Sequence, residues 1–257
     1  MSANSSDSNS TLMNSRWMIA KADTPDPFPS TRWTLVGRAK DSGQALNDLC
    51  CIYWYPLYAY VRRKTASPED AEDLTQSYLA RLLERGYLER AEKQKGKFRA
   101  FLLADLKLFL AREWVRGRAV KRGGRCVIES FDHAMAEQRY GVEPVDHDSP
   151  EKLFDRAWAT TLLEQVRQKL RRHYEVKGPD SLKAYEVLQP FIAWNAGEQP
   201  YAESAAVLGV TVNHLKVDIH RMRKRYRSLL EKEIADTVTS KEEIQEELQA
   251  LAAAFAG

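Results

Sequence analysis

A helical repeat of apolar residues constrains this chain more than any other feature. The clearest example lies in residues 154–170, where an apolar side chain recurs at every fourth position: Phe154, Trp158, Leu162, Val166 and Leu170. This spacing places the side chains on one face of an α-helix, and that face must be buried against other helices. Similar stripes occupy most of the chain from Thr31 onward, and no segment has a convincing strand pattern. The sequence therefore predicts an all-α fold.

The helical stripes fall into two groups, which predicts two helical domains joined by a flexible linker, the second domain containing a helix-turn-helix. The segment between the groups loses the helical period and carries two prolines. The N-terminal segment is rich in Ser, Asn, Asp and Pro, so we expect it to be disordered. In chain order, the predicted units are a disordered segment 1–27, a first domain 28–125, a linker 126–152, a second domain 153–239 and an amphipathic C-terminal helix 240–257.

Charge is distributed unevenly along a chain whose formal net charge is only +3. Residues 112–125 carry six Lys or Arg against one Glu, and residues 216–227 carry six against one Asp. Two basic stretches at helical density favour two contacts with a polyanion such as DNA, although a basic run can also be a plain solvated helix face. The three cysteines and five histidines fit neither a disulfide framework nor a zinc site, so we expect no metal and no cofactor.

No apolar run approaches the ~20 residues of a membrane-spanning helix, so we expect no membrane partner. The N-terminus lacks a basic segment followed by a long apolar one, which argues against a secretory signal. A cytoplasmic location is the resulting expectation.

Residues 201–226 have the spacing of a helix-turn-helix. Ala205 is the small residue where two helices cross, Gly209 forms the turn, and Leu215 faces back from the second helix. Asp218 interrupts the basic run, and its spacing predicts an ion pair with Arg221. An ordinary helical hairpin with a glycine turn is the alternative. The residues predicted to read or grip DNA are Thr211, Val212, Asn213, His214, Lys216, His220, Arg221, Arg223 and Lys224.

The stretch SPEDAEDLTQ, residues 67–76, places four carboxylates within five positions. Ser67 is a good N-cap, and acidic residues in the first turn interact favourably with the helix dipole. Asp70, Asp73 and Gln76 share an outward face. A metal site or a catalytic pair would need ligands or a cleft from elsewhere in the chain, and no second cluster offers them. The pattern favours a protein-docking face.

A third element lies at residues 92–110, where a basic loop with a glycine leads into a helix carrying Phe98, Phe101 and Phe109. Aromatic rings beside cations suit single-stranded DNA, because each unstacked base gains ~1–3 kcal/mol by stacking on a ring. The alternative is a core stripe, since Phe98, Leu102, Leu106 and Phe109 also share one helix face.

The order of these motifs resembles a known family. An acidic helix (DAEDLTQSYLARLLE), a loop with an aromatic and basic helix (KGKFRAFLLADLKLFLAREWVRGR) and a helix-turn-helix follow one another. Over about residues 31–239, the chain resembles bacterial RNA polymerase sigma factors of the sigma-70 family, in the two-domain extracytoplasmic-function (ECF) class. Within that class, LCCIYWYPLYAYVRRKTASPEDAEDLTQ resembles planctomycete-type members.

The resemblance implies a non-enzymatic protein that binds core RNA polymerase, recognises two elements of promoter DNA, stabilises the opened −10 strand and starts transcription. It further allows an anti-sigma factor or another regulatory protein as a partner. The helix-turn-helix would read the −35 element, and the linker would thread the polymerase. The implied polymerase contacts are Asp70, Asp73 and Gln76. The implied contacts with the −10 strand are Lys95, Lys97, Phe98, Arg99, Phe101, Arg112, Arg116, Arg118, Lys121 and Arg122.

Two positions depart from the family pattern. Phe101 stands where the family usually has Trp, and Leu108 stands where it often has Asn. Leucine cannot hydrogen-bond to a base edge, so the base preference at the −10 element stays open.

Three other classes of function compete with a sigma factor. A free-standing helix-turn-helix regulator would bind duplex DNA without polymerase. A metal-dependent nuclease would use Asp70, Glu72 and Asp73 with ligands that the sequence does not offer. A pure interaction protein would dock on polymerase without touching DNA.

Overall fold

Helices account for every regular element in the part of the chain that the structure describes. The structure is a computed structural model, and it describes residues 43–83, 97–117, 133–142, 149–192 and 201–255. The helices are α1 (Gly43–Arg62), α2 (Pro68–Leu83), α3 (Phe98–Gly117), α4 (His133–Val142), α5 (Pro150–Glu175), α6 (Pro179–Leu188), a 3₁₀ turn (Gln189–Ile192), α7 (Tyr201–Leu208), α8 (Val212–Ala235) and α9 (Lys241–Ala253). No strand occurs among these residues, and the all-α prediction is confirmed.

Side-chain caps fix the starts of several helices, including the cap that the sequence predicts at Ser67. The Ser67 hydroxyl accepts a hydrogen bond from the backbone N–H of Asp70 at 3.1 Å, at the start of α2. Ser240 and Glu243 form a reciprocal capping box at the start of α9. Each cap satisfies backbone N–H groups that the first helical turn leaves without a partner.

The core is built around α1, which packs mainly against α5 and α2. All residues from Ile52 to Val61 are buried, including Pro56 inside the helix. All five members of the predicted stripe of α5 are buried. A helical segment buried on every side, such as residues 52–61, draws most of its stability from tertiary packing, at about 1.5–3 kcal/mol for each fully buried large apolar side chain.

One continuous core joins helices from both predicted domains. Tyr53 of α1, Phe98 of α3, Trp158 of α5, Ile234 of α8 and Leu251 of α9 belong to the same buried cluster. The helices on the two sides of the predicted linker therefore pack on each other in this structure. The division into two domains stays a prediction.

The predicted linker contains a helix, which the sequence reading missed. In α4, Glu137 accepts hydrogen bonds from the Tyr58 hydroxyl at 2.5 Å and from Arg62 at 3.2 Å. Arg139 lies 3.8 Å above the ring of Tyr55. Burial raises the pKa of Glu137, but the hydrogen bonds from Tyr58 and Arg62 outweigh it and hold that pKa below its usual value. Charged and polar contacts thus attach α4 to α1, and they leave little apolar periodicity to detect.

The C-terminal helix packs against other helices through one face. Ile244 and Leu251 of α9 are buried, and the helix contacts α5 and α8. Of the helices described, none combines the length and apolar character that crossing a membrane requires.

Candidate nucleic-acid and docking surfaces

A tight left-handed turn separates α7 from α8. The N–H of Gly209 donates to the carbonyl of Ala206 at 3.1 Å, and the N–H of Val210 donates to the carbonyl of Ala205 at 3.0 Å. This pair of bonds is a Schellman motif, and it requires a left-handed residue that glycine supplies at least cost. Gly209 accordingly has a φ of 65°. The glycine turn predicted from the sequence is present.

The first turn of α8 is capped, and its inner face is buried. The Thr211 hydroxyl accepts a hydrogen bond from the N–H of His214 at 3.2 Å. Leu215 and Ile219 are buried on one side of α8, and Ala205 is buried on α7. The apolar contacts therefore fix which side of α8 faces solvent.

The solvent face of α8 carries most of the residues predicted to contact DNA. Val212 is half-buried, and Arg223 is held inward because its Nε donates to the carbonyl of Phe191 at 2.8 Å. The Lys216 ammonium lies 5.7 Å from the ring centre of Tyr201. The exposed members of the predicted set are Thr211, Asn213, Lys216, His220, Arg221 and Lys224.

Asp218 holds two of the predicted DNA-facing side chains. Its carboxylate lies 3.5 Å from Arg221, which confirms the predicted ion pair, and 3.3 Å from Nε2 of His214. Burial raises the pKa of Asp218, and the charges of His214 and Arg221 offset part of that effect. The contact with His214 was missed although the two residues are one helical turn apart.

The acidic face of α2 is open at two of its three predicted positions. Asp70 and Asp73 are exposed, whereas Gln76 is half-buried and donates to Glu72 at 3.0 Å. Asp70 and Asp73 also line an open groove together with Lys64 of the preceding segment and Trp114 of α3. Within the described residues, no group of three or more His, Cys, Asp or Glu side chains could hold a metal ion.

The aromatic residues at the start of α3 are part of the core. Phe98 has no exposed surface, and its ring lies 5.4 Å from that of Tyr53 in an edge-on contact. Phe101 is partly buried, with its ring 6.0 Å from Phe98. The core stripe that the sequence offers as the alternative to strand binding is present, since Leu102, Leu106 and Phe109 are buried too. A role for Phe98 in a base pocket stays a prediction.

The two cations flanking Phe98 are paired with the C-terminal helix. Lys97 Nζ lies 2.8 Å from Glu246 and 3.5 Å from Glu247. Arg99 donates from Nε and Nη2 to the two oxygens of Glu247, both at 3.0 Å, and from Nη1 to Asp155 of α5. Its guanidinium also lies 4.5 Å from the ring centre of Trp158.

The pair of Arg99 and Glu247 is largely withdrawn from water, which strengthens the attraction between the two charges. The side chain of Arg99 is 14% exposed and that of Glu247 only 2%. Burial lowers the pKa of Arg99 and of Lys97, but the hydrogen bonds and charges of the acidic residues outweigh it and raise both values. Both cations are therefore firmly protonated. Burial raises the pKa of Asp155, against the opposing charge of Arg99.

The later part of α3 is open to solvent. Arg112 and Arg116 are exposed, and Arg116 pairs with Glu113 at 2.9 Å. Leu108, at the position where the resembled family often has Asn, is 58% exposed. The other predicted strand contacts, Lys95, Arg118, Lys121 and Arg122, lie outside the described residues.

Comparison of this chain with protein-family models, with curated proteins and with solved structures gave no match in any of the three.

Proposed function

We propose that this protein is a sigma factor that binds core RNA polymerase and directs promoter recognition and transcription initiation. The observation that carries the proposal is the solvent face of α8. There, Asn213, Lys216, His220 and Arg221 lie exposed on a capped helix that follows a tight glycine turn. In this proposal α7 and α8 form the helix-turn-helix, with the start of α8 entering the major groove.

The distribution of side chains along α8 supports DNA contact of two kinds. Asn213 and Lys216 lie in its first turns, which is where a recognition helix reaches base edges. Arg221 and Lys224 follow one and two turns later, where cations would neutralise phosphates. Leu215 and Ile219 are buried on the other side, so this face is the one that the fold leaves available.

The acidic face of α2 supports polymerase docking over a stand-alone DNA regulator. The helix dipole accounts for Asp70 in the first turn of α2, but a protein that only binds duplex DNA gains nothing from the exposed Asp73 beside it. Carboxylates would repel DNA, but they suit a basic protein surface. The groove beside them, lined also by Trp114, adds an exposed aromatic ring of the kind enriched at protein interfaces.

Gel filtration with bacterial core RNA polymerase tests the proposal. The wild-type chain is expected to co-elute with the polymerase, and Asp70→Asn/Asp73→Asn is expected to lose co-elution because it removes both charges with little change in shape. Gln76 is left intact because it is bonded to Glu72. Glu175→Gln/Glu186→Gln is the matched control, since it neutralises two exposed carboxylates on other helices.

A folded wild-type chain that fails to co-elute with polymerase from a suitable host would overturn the proposal. Binding of duplex DNA by that same chain, without polymerase, would then indicate a stand-alone regulator. A chain that co-elutes with polymerase, but whose DNA binding is unchanged when Lys216 and Arg221 are neutralised, would be a pure interaction protein.

A further inference from the structure

The cations at the start of α3 are joined to the C-terminal helix by charge. Four ionic contacts connect Lys97 and Arg99 to Glu246, Glu247 and Asp155. The backbone N–H of Phe98, between the two cations, donates to the carbonyl of Thr237 just before α9. The segment that the sequence assigns to the opened strand is thus covered by the chain's own C-terminal region.

The covering groups have the chemistry of a nucleic-acid backbone. Glu247 accepts two parallel hydrogen bonds from Arg99, the same bidentate arrangement that a phosphate would take. Glu246 pairs with Lys97 through a single ionic contact at 2.8 Å. A strand could not reach these donors while the carboxylates hold them.

The contact is specific, because the acidic residues of α9 are not all used alike. Glu243 serves the capping box, where its carboxylate accepts from the backbone N–H of Ser240 at 3.2 Å. Glu247 is turned inward beside the buried Ile244 and Leu251, which is an unusual place for a carboxylate unless a cation pairs with it. Arg99 is that cation.

We infer that α9 is an intramolecular competitor of the DNA strand: it occupies Lys97 and Arg99 in the free protein and must leave them before a single strand can bind there. This inference rests on the proposed function, which supplies the strand as the competing ligand. In the free chain, the strand site is then mostly closed, and only the open fraction contributes to affinity.

Fluorescence anisotropy with a short, labelled, single-stranded DNA of random sequence tests the inference on the full chain. Glu246→Gln/Glu247→Gln keeps the shape of α9 and removes both competing charges. We expect it to bind about tenfold more tightly than wild type, as for a site whose open form becomes about ten times more populated. Glu246→Gln alone, which changes a side chain that is 58% exposed, is expected to give a smaller gain without disturbing the core.

The matched control is Glu175→Gln/Glu186→Gln, which raises the net charge by the same amount and should leave the affinity near that of wild type. Adding Lys97→Gln and Arg99→Gln to the double variant should abolish the gain, because the released donors are then absent. Thermal unfolding of each variant establishes that it is folded before binding is compared.

Two results would overturn the inference, and they differ in what they imply for the proposed function. In the first, wild type, double variant and control bind the strand with equal affinity, and replacing Lys97 and Arg99 abolishes binding. The cations would then bind the strand, and α9 would not compete. Binding that is unaffected by Lys97 and Arg99 in every chain would remove these residues from the strand site altogether. Co-elution with polymerase is independent of both cations and reports separately on the sigma assignment.

Discussion

Replacing Arg99 is expected to cost much more stability than replacing its partner Glu247. Arg99→Gln removes the cation of Asp155 and leaves Glu247, 2% exposed, with only the 3.5 Å contact to Lys97. A buried charge that loses its bidentate partner in this way costs about 3–5 kcal/mol. Glu247→Gln instead leaves Arg99 bonded to Asp155 and stacked on Trp158, so we expect a loss of about 1–3 kcal/mol.

Urea unfolding followed by circular dichroism measures this difference in the wild type, both single variants and the double variant. Because the double variant has neither the buried cation nor the buried anion, it should be more stable than Arg99→Gln alone, with a coupling of about 1–3 kcal/mol. Glu186→Gln, on an exposed side chain, controls for the substitution itself. Losses below about 0.5 kcal/mol for both single variants would refute the reasoning, since only a solvated ion pair is worth so little.

Three further outcomes follow from single positions. Burial, with the charges of Arg225 and Lys177, lowers the pKa of His173 from 6.5 to about 4, so the folded state binds its proton less readily than the unfolded one. Stability should therefore fall as the pH drops from 6.5 towards 4, and His173→Gln should flatten that fall in thermal unfolding curves. Asp218→Asn should tighten binding to random duplex DNA a few-fold in anisotropy titrations, because it releases His214 and Arg221 and removes a repelling charge. Gly209→Ala should lower stability by about 1–2 kcal/mol in urea unfolding, wholly from the left-handed backbone, since nothing lies within 4 Å of an added Cβ.

Features set by neighbouring residues could be predicted from the sequence. Four predicted features depend on spacings of a few residues: the apolar stripe of α5, the cap at Ser67, the glycine turn at Gly209 and the pair of Asp218 with Arg221. At such spacings, helical geometry alone decides which groups meet. These predictions hold in the structure for that reason.

Contacts between distant segments could not be predicted in the same way. Arg99 and Glu247 are 148 positions apart, and periodicity indicates only which face of a helix is buried, not which helix covers it. Glu247 also lies on the buried side of α9 as a charged residue, which a hydrophobic pattern treats as exposed. The helix α4 was missed because Glu137 and Arg139, rather than an apolar stripe, attach it to α1.

The position of α9 also decides what a strand would have to replace. A phosphate can take over the hydrogen bonds that Glu246 and Glu247 make, so that exchange of ionic contacts is nearly balanced. A strand cannot replace the burial of Ile244 and Leu251, which contribute about 1.5–3 kcal/mol each. Apolar packing and the ionic contacts therefore both hold α9 in place, and weakening either one should favour the open form.

Leu251→Ala separates apolar packing from charge as the cause of closure. It leaves Glu246 and Glu247 unchanged but weakens the docking of α9, so the open fraction and the affinity for single-stranded DNA should rise several-fold. Ala253→Gly, at an exposed position near the end of the same helix, is the control for a change in helix propensity. If Leu251→Ala leaves strand affinity at the wild-type value while lowering stability by the ~2–5 kcal/mol of a core truncation, then α9 does not leave its site when the strand binds.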